Sequence, residues 1–205
     1  MPAPVLGLIL AGGLARRMGG GDKVLLRLGG RTLLDHVTGR LAPQCAGLAL
    51  SANGDPGRFS GFRGPVLPDD VPDHPGPLAG ILAGLDFAAE HRPGASHILS
   101  VSGDAPFLPH DLALCLGSAA GPGGSVIALA ASGGRAHHTV ALWPVGLRGD
   151  LRAALAGRGE RRVGAFIARH GTVVVTWPSE PVDPFLNVNT PDDLKLAEAA
   201  LAGRG

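Results

Sequence analysis

The residues best suited to chemistry come early, in Leu10-Ala11-Gly12-Gly13-Leu14-Ala15-Arg16-Arg17-Met18-Gly19-Gly20-Gly21-Asp22-Lys23. Five glycines free the backbone to turn several N–H groups toward one ligand, and two arginines and a lysine add cations, a combination suited to phosphate groups. The stretch is either such an anion cradle or a flexible surface turn in a glycine-rich chain. It is not a P-loop, because no Gly directly precedes Lys23 and Val24 follows it, and it does not fit G-x-G-x-x-G. Lys23 and Lys195 are the only lysines among 18 basic residues. Where arginine serves nearly every generic positive charge, a lysine in this loop points to a need for a compact point charge.

A second candidate is Ser102-Gly103-Asp104-Ala105-Pro106-Phe107-Leu108-Pro109, which ends an apolar run. A carboxylate at the carboxyl edge of a central strand can hold Mg²⁺, a hard cation that combines one or two carboxylates with phosphate oxygens and water. Asp104 is therefore either the metal ligand or the aspartate that opens a turn before Pro106. In Pro68-Asp69-Asp70 and His74-Pro75-Gly76-Pro77, a tight entry into a helix brings N–H groups near a ligand, and Asp69 could accept from a base or sugar. Asn187 and Asn189, two apart in an extended segment, can turn their amides to one side ahead of a helix capped by Thr190. His137 and His138 beside Arg135 form a candidate ligand contact, while the remaining histidines are scattered and read as structural. No G-x-S-x-G elbow or Cys/His pair supports covalent acyl chemistry.

These residues need a scaffold, and apolar runs supply one. Val5 to Leu10 reads as a strand buried on both faces, and similar runs lie at Leu48 to Ala52, His97 to Ser102, Ser125 to Ala131, Thr139 to Trp143 and Thr172 to Trp177. Helical spacing falls between them at Arg31 to Leu41, Pro77 to His91, Pro109 to Ser118, Asp150 to Ala156 and Arg161 to His170. A final helix follows Thr190-Pro191-Asp192-Asp193. Strands alternating with helices predict an α/β three-layer sandwich around a mainly parallel, Rossmann-like sheet, whose ligands bind beyond the strands' carboxyl ends.

With 205 residues, 45% of them hydrophobic, the chain has room for one domain with a substantial core, despite 33 glycines and 18 prolines. A net charge of +1 offers no broad attraction to nucleic acid or to an anionic membrane, so neither is expected as a partner. Two distant cysteines propose neither a disulfide framework nor a zinc site and fit a reduced cytoplasm. No apolar run reaches the length of a membrane span, and Met1 to Leu10 lacks the basic start of an export signal.

Taken together, L-A-G-G-x-x-x-R-M-G-G-x-D-K, G-P-L-A-G, G-D-x-P-F-L-P, G-E-R-R-V and N-V-N-T-P-D-D-L resemble, in order and spacing, the molybdenum cofactor guanylyltransferases, the MobA family. The resemblance covers nearly the whole chain. It implies a nucleotide-binding α/β sandwich that transfers GMP from GTP to molybdopterin and releases pyrophosphate. It implies a single domain, 1–205, with a nucleotide-binding part over about 1–110 and a pterin-side part over about 111–205. By resemblance, Leu10, Ala11, Gly12 and Gly13 meet the guanine and phosphates, Lys23 and Arg17 the phosphates, Asn53 and Asp69 the guanosine, and Asp104 binds Mg²⁺. By the same resemblance, Asn187 and Asn189 fall on the pterin side or near the reacting phosphates, and Arg161 and Arg162 meet the anionic pterin. Molybdoenzyme maturation proteins are further partners the resemblance raises. Gly12, giving Leu-Ala-Gly-Gly where related enzymes have Leu-Ala-Ala-Gly, favours guanine over cytosine; a cytidylyltransferase, a sugar-phosphate nucleotidyltransferase or a non-catalytic cofactor-binding partner are the alternatives. Two positions depart from the family: Ala105 stands where Thr or Val is frequent, and His138 where Pro is common.

Overall fold

The computed structural model of the chain describes residues 5–12, 21–69, 76–121 and 123–203. Apolar on both sides of its alternation, Val5–Leu10 forms β1 inside the protein, with Leu6 and Leu8 in one core and Ile9 in another. A short 3-10 turn, Lys23–Leu25, and a hairpin of β2 (Arg27–Leu28) and β3 (Arg31–Thr32) lead to α1 (Leu33–Leu41). Then come β4 (Gly47–Ser51), β5 (Val66–Leu67), α2 (Pro77–His91), β6 (His97–Ser102) and α3 (Leu112–Ala120). The chain continues through β7 (Ile127–Ser132), β8 (Arg135–Pro144), α4 (Arg148–Arg158), α5 (Val163–Ile167), β9 (Thr172–Trp177) and α6 (Pro191–Ala202).

Seven strands form one sheet in the order β5-β4-β1-β6-β8-β7-β9, in which only β8 runs against its neighbours. Residues of α1 and α3 bury one face, and residues of α2, α4 and α5 the other. This is the three-layer α/β sandwich that the alternation of elements predicts. A third, smaller core of Leu28, Leu33, Phe107, Val188 and Ala197 ties the β2–β3 hairpin to α6 and to the segment before it. Among the described residues, no helix is long and apolar enough to cross a membrane.

Several boundaries differ from those the sequence predicts. The strands β2, β3 and β5 have two residues each, too few for a period to register. The strand expected from Thr139 begins at Arg135, because β8 carries a bulge: its pairing with β7 jumps from Ala141 to His137 and leaves His138, Thr139 and Val140 as extra residues. Ser100 holds that bulge from the sheet interior, donating to the Thr139 carbonyl at 2.8 Å and accepting from Trp143 Nε1 at 2.8 Å. The helix expected over Arg161 to His170 shortens to α5. Glu160 Oε1 accepts from the backbone N–H groups of both Arg161 and Arg162 at 3.0 Å, with Arg162 left extended before the first turn.

The sheet order also locates the site. From β1 the chain crosses to β4 on one side, and from β6 it passes through α3 to strands on the other, so the carboxyl ends of β1 and β6 border a crevice. Gly103 closes the base of this crevice, its N–H donating to the Leu10 carbonyl at 3.0 Å. A Cβ there would lie 2.7 Å from Val24 Cγ1 and 3.1 Å from the Leu10 oxygen. Gly103→Ala is therefore expected to destabilise the protein by about 1–3 kcal/mol, the usual cost of overpacking, as read by denaturant unfolding.

Candidate active site

Lys23 sits in the 3-10 turn after β1, where Val24 is buried and fixes the direction of its neighbour. Its ammonium pairs with Asp104 Oδ2 and also donates to Asn189 Oδ1. Both side chains of the Lys23–Asp104 pair are only 13% exposed. The second carboxylate oxygen, Oδ1, accepts from Ser102 Oγ at 2.6 Å, so Asp104 is held from two directions. Three segments separated by 81 and 166 residues in sequence thus meet at the ends of β1 and β6.

The third segment is fixed as firmly as the first two. Val188 is buried in the small core and its N–H donates to the Asp104 carbonyl at 3.0 Å. Asp193 Oδ2 accepts from the N–H groups of Asn189 at 2.9 Å and Thr190 at 2.8 Å, while Thr190 Oγ1 accepts from the Asp193 N–H at 3.2 Å. This is the capping box of α6, and it anchors Asn189 as well as the helix. The two asparagines serve different neighbours, however. Asn189 reaches Lys23, whereas Asn187 lines a separate cleft with Arg135, His137, His138 and Phe185.

At the end of β4, Asn53 and Asp69 bond reciprocally: Asn53 Nδ2 donates to Asp69 Oδ2 at 2.8 Å, and Asp69 N–H donates to Asn53 Oδ1 at 2.7 Å. Burial pushes the Asp69 carboxyl above the ordinary aspartate value, and the Asn53 hydrogen bond offsets part of that. Arg58, which the sequence did not single out, donates to the Asn53 carbonyl and to both oxygens of Asp22 at 2.5 and 2.6 Å. It joins the Asn53 loop to the residue preceding Lys23. No pattern in the sequence couples Arg58 to Asp22, 36 positions away.

Of the first loop, Leu10 and Ala11 are framework: the Leu10 carbonyl accepts from Gly103 and the Ala11 N–H donates to Ser51 at 2.9 Å. Gly12 is exposed, and a Cβ there would meet no atom of the described residues within 4 Å. Gly13 and Arg17 lie outside the described residues, as do Asp70, Asp73 and His74. Arg161 and Arg162 are exposed at the start of α5. One turn further, Gly164 packs under the His138 ring, where a Cβ would lie 3.0 Å from Cε1.

The cleft itself, about 440 Å³, is built by the β8 bulge and the segment before α6. Cys45 and Cys115 are free thiols, and burial pushes the Cys45 thiol up to about 12, which removes it as a nucleophile near neutrality. His36 bonds the Leu28 carbonyl at 2.8 Å and His97 the Gly124 carbonyl at 3.0 Å, structural roles in agreement with their scattered placement.

A carboxylate, a lysine and an amide thus meet at the carboxyl edge of a parallel sheet, where open α/β folds bind their ligands. Residues 7–173 match the MobA-like NTP transferase domain, and the chain belongs to that family. It is 57% identical over 198 residues to the molybdenum cofactor guanylyltransferase of Bradyrhizobium sp. (strain ORS 278), covering 97% of this chain and 93% of that one. Its fold is similar to the crystal structure of molybdopterin-guanine dinucleotide biosynthesis protein A from Archaeoglobus fulgidus, with a TM-score of 0.76 at 22% identity over 97% of this chain and 100% of that one. A Mycobacterium tuberculosis protein solved in complex with manganese shares the fold at a TM-score of 0.69 and 20% identity, over 97% of this chain and 99% of that one.

Because backbone hydrogen bonds from Asn189 and Thr190, with the Thr190 hydroxyl, hold the Asp193 carboxyl below the ordinary aspartate value of 3.8, its stabilising contribution is complete above that value and is lost as pH falls through the lower folded-state value. Asp193→Ala is expected to cost about 1 kcal/mol at neutral pH, the scale of a helix cap, with the gap to the parent narrowing below pH 3.8 in pH-resolved unfolding curves.

Proposed function

We propose that this chain catalyses the reaction for which its relatives are named, the transfer of GMP from GTP to molybdopterin carrying molybdenum, with release of pyrophosphate. The observation that carries the assignment of residues is the convergence of Lys23, Asp104 and Asn189 on one point of the β1–β6 crevice. Both substrates are anions and each already carries its reacting group, one the attacking phosphate oxygen and the other the pyrophosphate leaving group. The protein has to overcome their repulsion and align them for in-line displacement at the α-phosphorus.

Asp104 is the residue that would hold a divalent cation, with Mg²⁺ the ion we assign. The donor set fits. Its carboxylate is a hard oxygen donor, and in this structure the compact cation of Lys23 takes the place against Oδ2. Among the described residues no group of three or more His, Cys, Asp or Glu forms a cage, which suits an ion that completes its shell with phosphate oxygens and water. When bound, such an ion neutralises developing charge on the triphosphate oxygens. With an ion on Asp104, Lys23 would be free to turn to the phosphates, and Arg17 would add its charge.

The space over Gly12, clear of the described residues, would admit a ligand against the backbone, and the Asn53–Asp69 pair presents polar edges for the guanosine. On the other side, the cleft between the β8 bulge and Asn187 receives the pterin, with Arg135, Arg161 and Arg162 drawing its phosphate and Asn189 standing at the seam between the two substrates. The halves meet near residue 110 within one domain, nucleotide on the amino-terminal side and pterin on the carboxyl-terminal. The same reading places the reaction in the cytoplasm, with the product handed to molybdoenzyme maturation proteins.

In a transfer assay with molybdopterin, Asp104→Asn is expected to lower Mg²⁺-dependent GMP transfer by about 10²–10³-fold, and Lys23→Ala to raise the KM for GTP. Turnover of CTP or ATP at the GTP rate would overturn the guanylyl assignment, and retention of activity in both variants would overturn the site. Gly12→Ala, whose methyl group meets no atom of the described residues, is expected to leave the melting temperature at the parent value while weakening GTP binding in calorimetric titration.

A further inference from the structure

At the floor of the cleft three side chains form a chain of hydrogen bonds that the transfer reaction does not itself require. Asp183 Oδ1 accepts from Ser132 Oγ at 2.7 Å and from the Phe185 N–H at 2.9 Å. Ser132 Oγ also lies 2.8 Å from His137 Nε2. Ser132 is 1% exposed, so its hydroxyl has no water to turn to.

The direction of these bonds follows from counting protons. An ionised Asp183 can only accept, and a serine hydroxyl has one proton to give. With that proton committed to Asp183, Ser132 Oγ must accept from His137, which places a proton on Nε2. In the neutral imidazole the other nitrogen, Nδ1, then carries a lone pair. Burial, the Arg135 guanidinium and His138 all favour that neutral ring, while Asp183 opposes them, and the net effect holds the His137 pKa below its usual 6.5. Nδ1 has no hydrogen-bond partner among the described residues, and the residue lines the cleft. The Phe185 ring, 4.8 Å from the imidazole and tilted by 41°, braces it in place.

We propose that His137 is a specificity-determining residue for the acceptor, its Nδ1 accepting a hydrogen bond from an N–H group of the flat heterocycle, with Ser132 and Asp183 as positioning residues that fix its tautomer. The proposal rests on the cleft being the acceptor site. The Arg135 side chain that lines the cleft can only donate, so it reads phosphate and carbonyl oxygens. A pterin also carries an amino group and ring N–H, and these need an acceptor of fixed orientation. His137 supplies one, and the neighbouring Asn187 amide can complement it.

Nitrogen NMR of the ¹⁵N-histidine-labelled protein at pH 7.5 tests the tautomer without any substitution: the Nε2–H pattern is expected for His137, with Nδ1 moving on addition of pterin. Ser132→Ala should convert that signal to a mixture of tautomers. In the transfer assay, His137→Gln keeps a donor for Ser132 but lacks Nδ1, and it is expected to raise the KM for molybdopterin about tenfold, the scale of one hydrogen bond, with the KM for GTP at the parent value. An Nδ1–H signal in the parent protein, or an unchanged molybdopterin KM in His137→Gln, overturns the inference. Arg135→Ala separates it from the reading beneath it. If Arg135→Ala raises the molybdopterin KM and His137→Gln does not, the cleft stands and the role of His137 falls; if neither changes it, both fall.

Discussion

Everything in the site depends on the contact of one ammonium with one carboxylate, Lys23 against Asp104, at a point where three distant parts of the chain meet. Two charges this close and this sheltered are stable only with further partners, and each has one: Asn189 for the lysine, Ser102 for the aspartate. In this structure the cation against Asp104 is the Lys23 ammonium.

The surrounding architecture exists to hold that point still. Gly103 lets the end of β6 lie against the Leu10 carbonyl and Val24, the buried Val188 pins the final segment to the Asp104 backbone, and the α6 capping box fixes Asn189. Arg58 bridges the Asn53 loop to Asp22 beside the lysine. Apart from the α6 cap, these contacts join separate elements. The rigid sheet brings loops to a common edge, and short polar bonds between loops then lock them together, which is the preorganisation that electrostatic catalysis needs.

The cleft on the other side follows the same logic from a different irregularity. Three extra residues on β8 cannot be absorbed by the ladder, so they bulge, and buried Ser100 and Trp143 hold the bulge in one shape. The result is a polar wall of Arg135, His137 and His138 opposite Asn187. The single residue Val188, between Asn187 and Asn189, joins this wall to the Lys23 site.

Local chemistry alone made much of this legible. The long strands β1, β6, β7 and β9, the helices α1 and α2 and the cap of α6 are all written in runs and periods of apolar residues and in Thr190-Pro191-Asp192-Asp193, because burial and capping act over a few neighbouring positions. Glycine and charge composition singled out the first loop, and Lys23 and Asp104 stood out by type. What tertiary structure alone decided is which of these residues touch. The Lys23–Asp104–Asn189 convergence, the Arg58–Asp22 bridge, the parting of Asn187 from Asn189 and the Ser132–His137–Asp183 chain all join positions that no helical or strand period relates. Such contacts arise from the order in which strands enter the sheet and from where a bulge interrupts it, and those are settled by the packing of the whole chain.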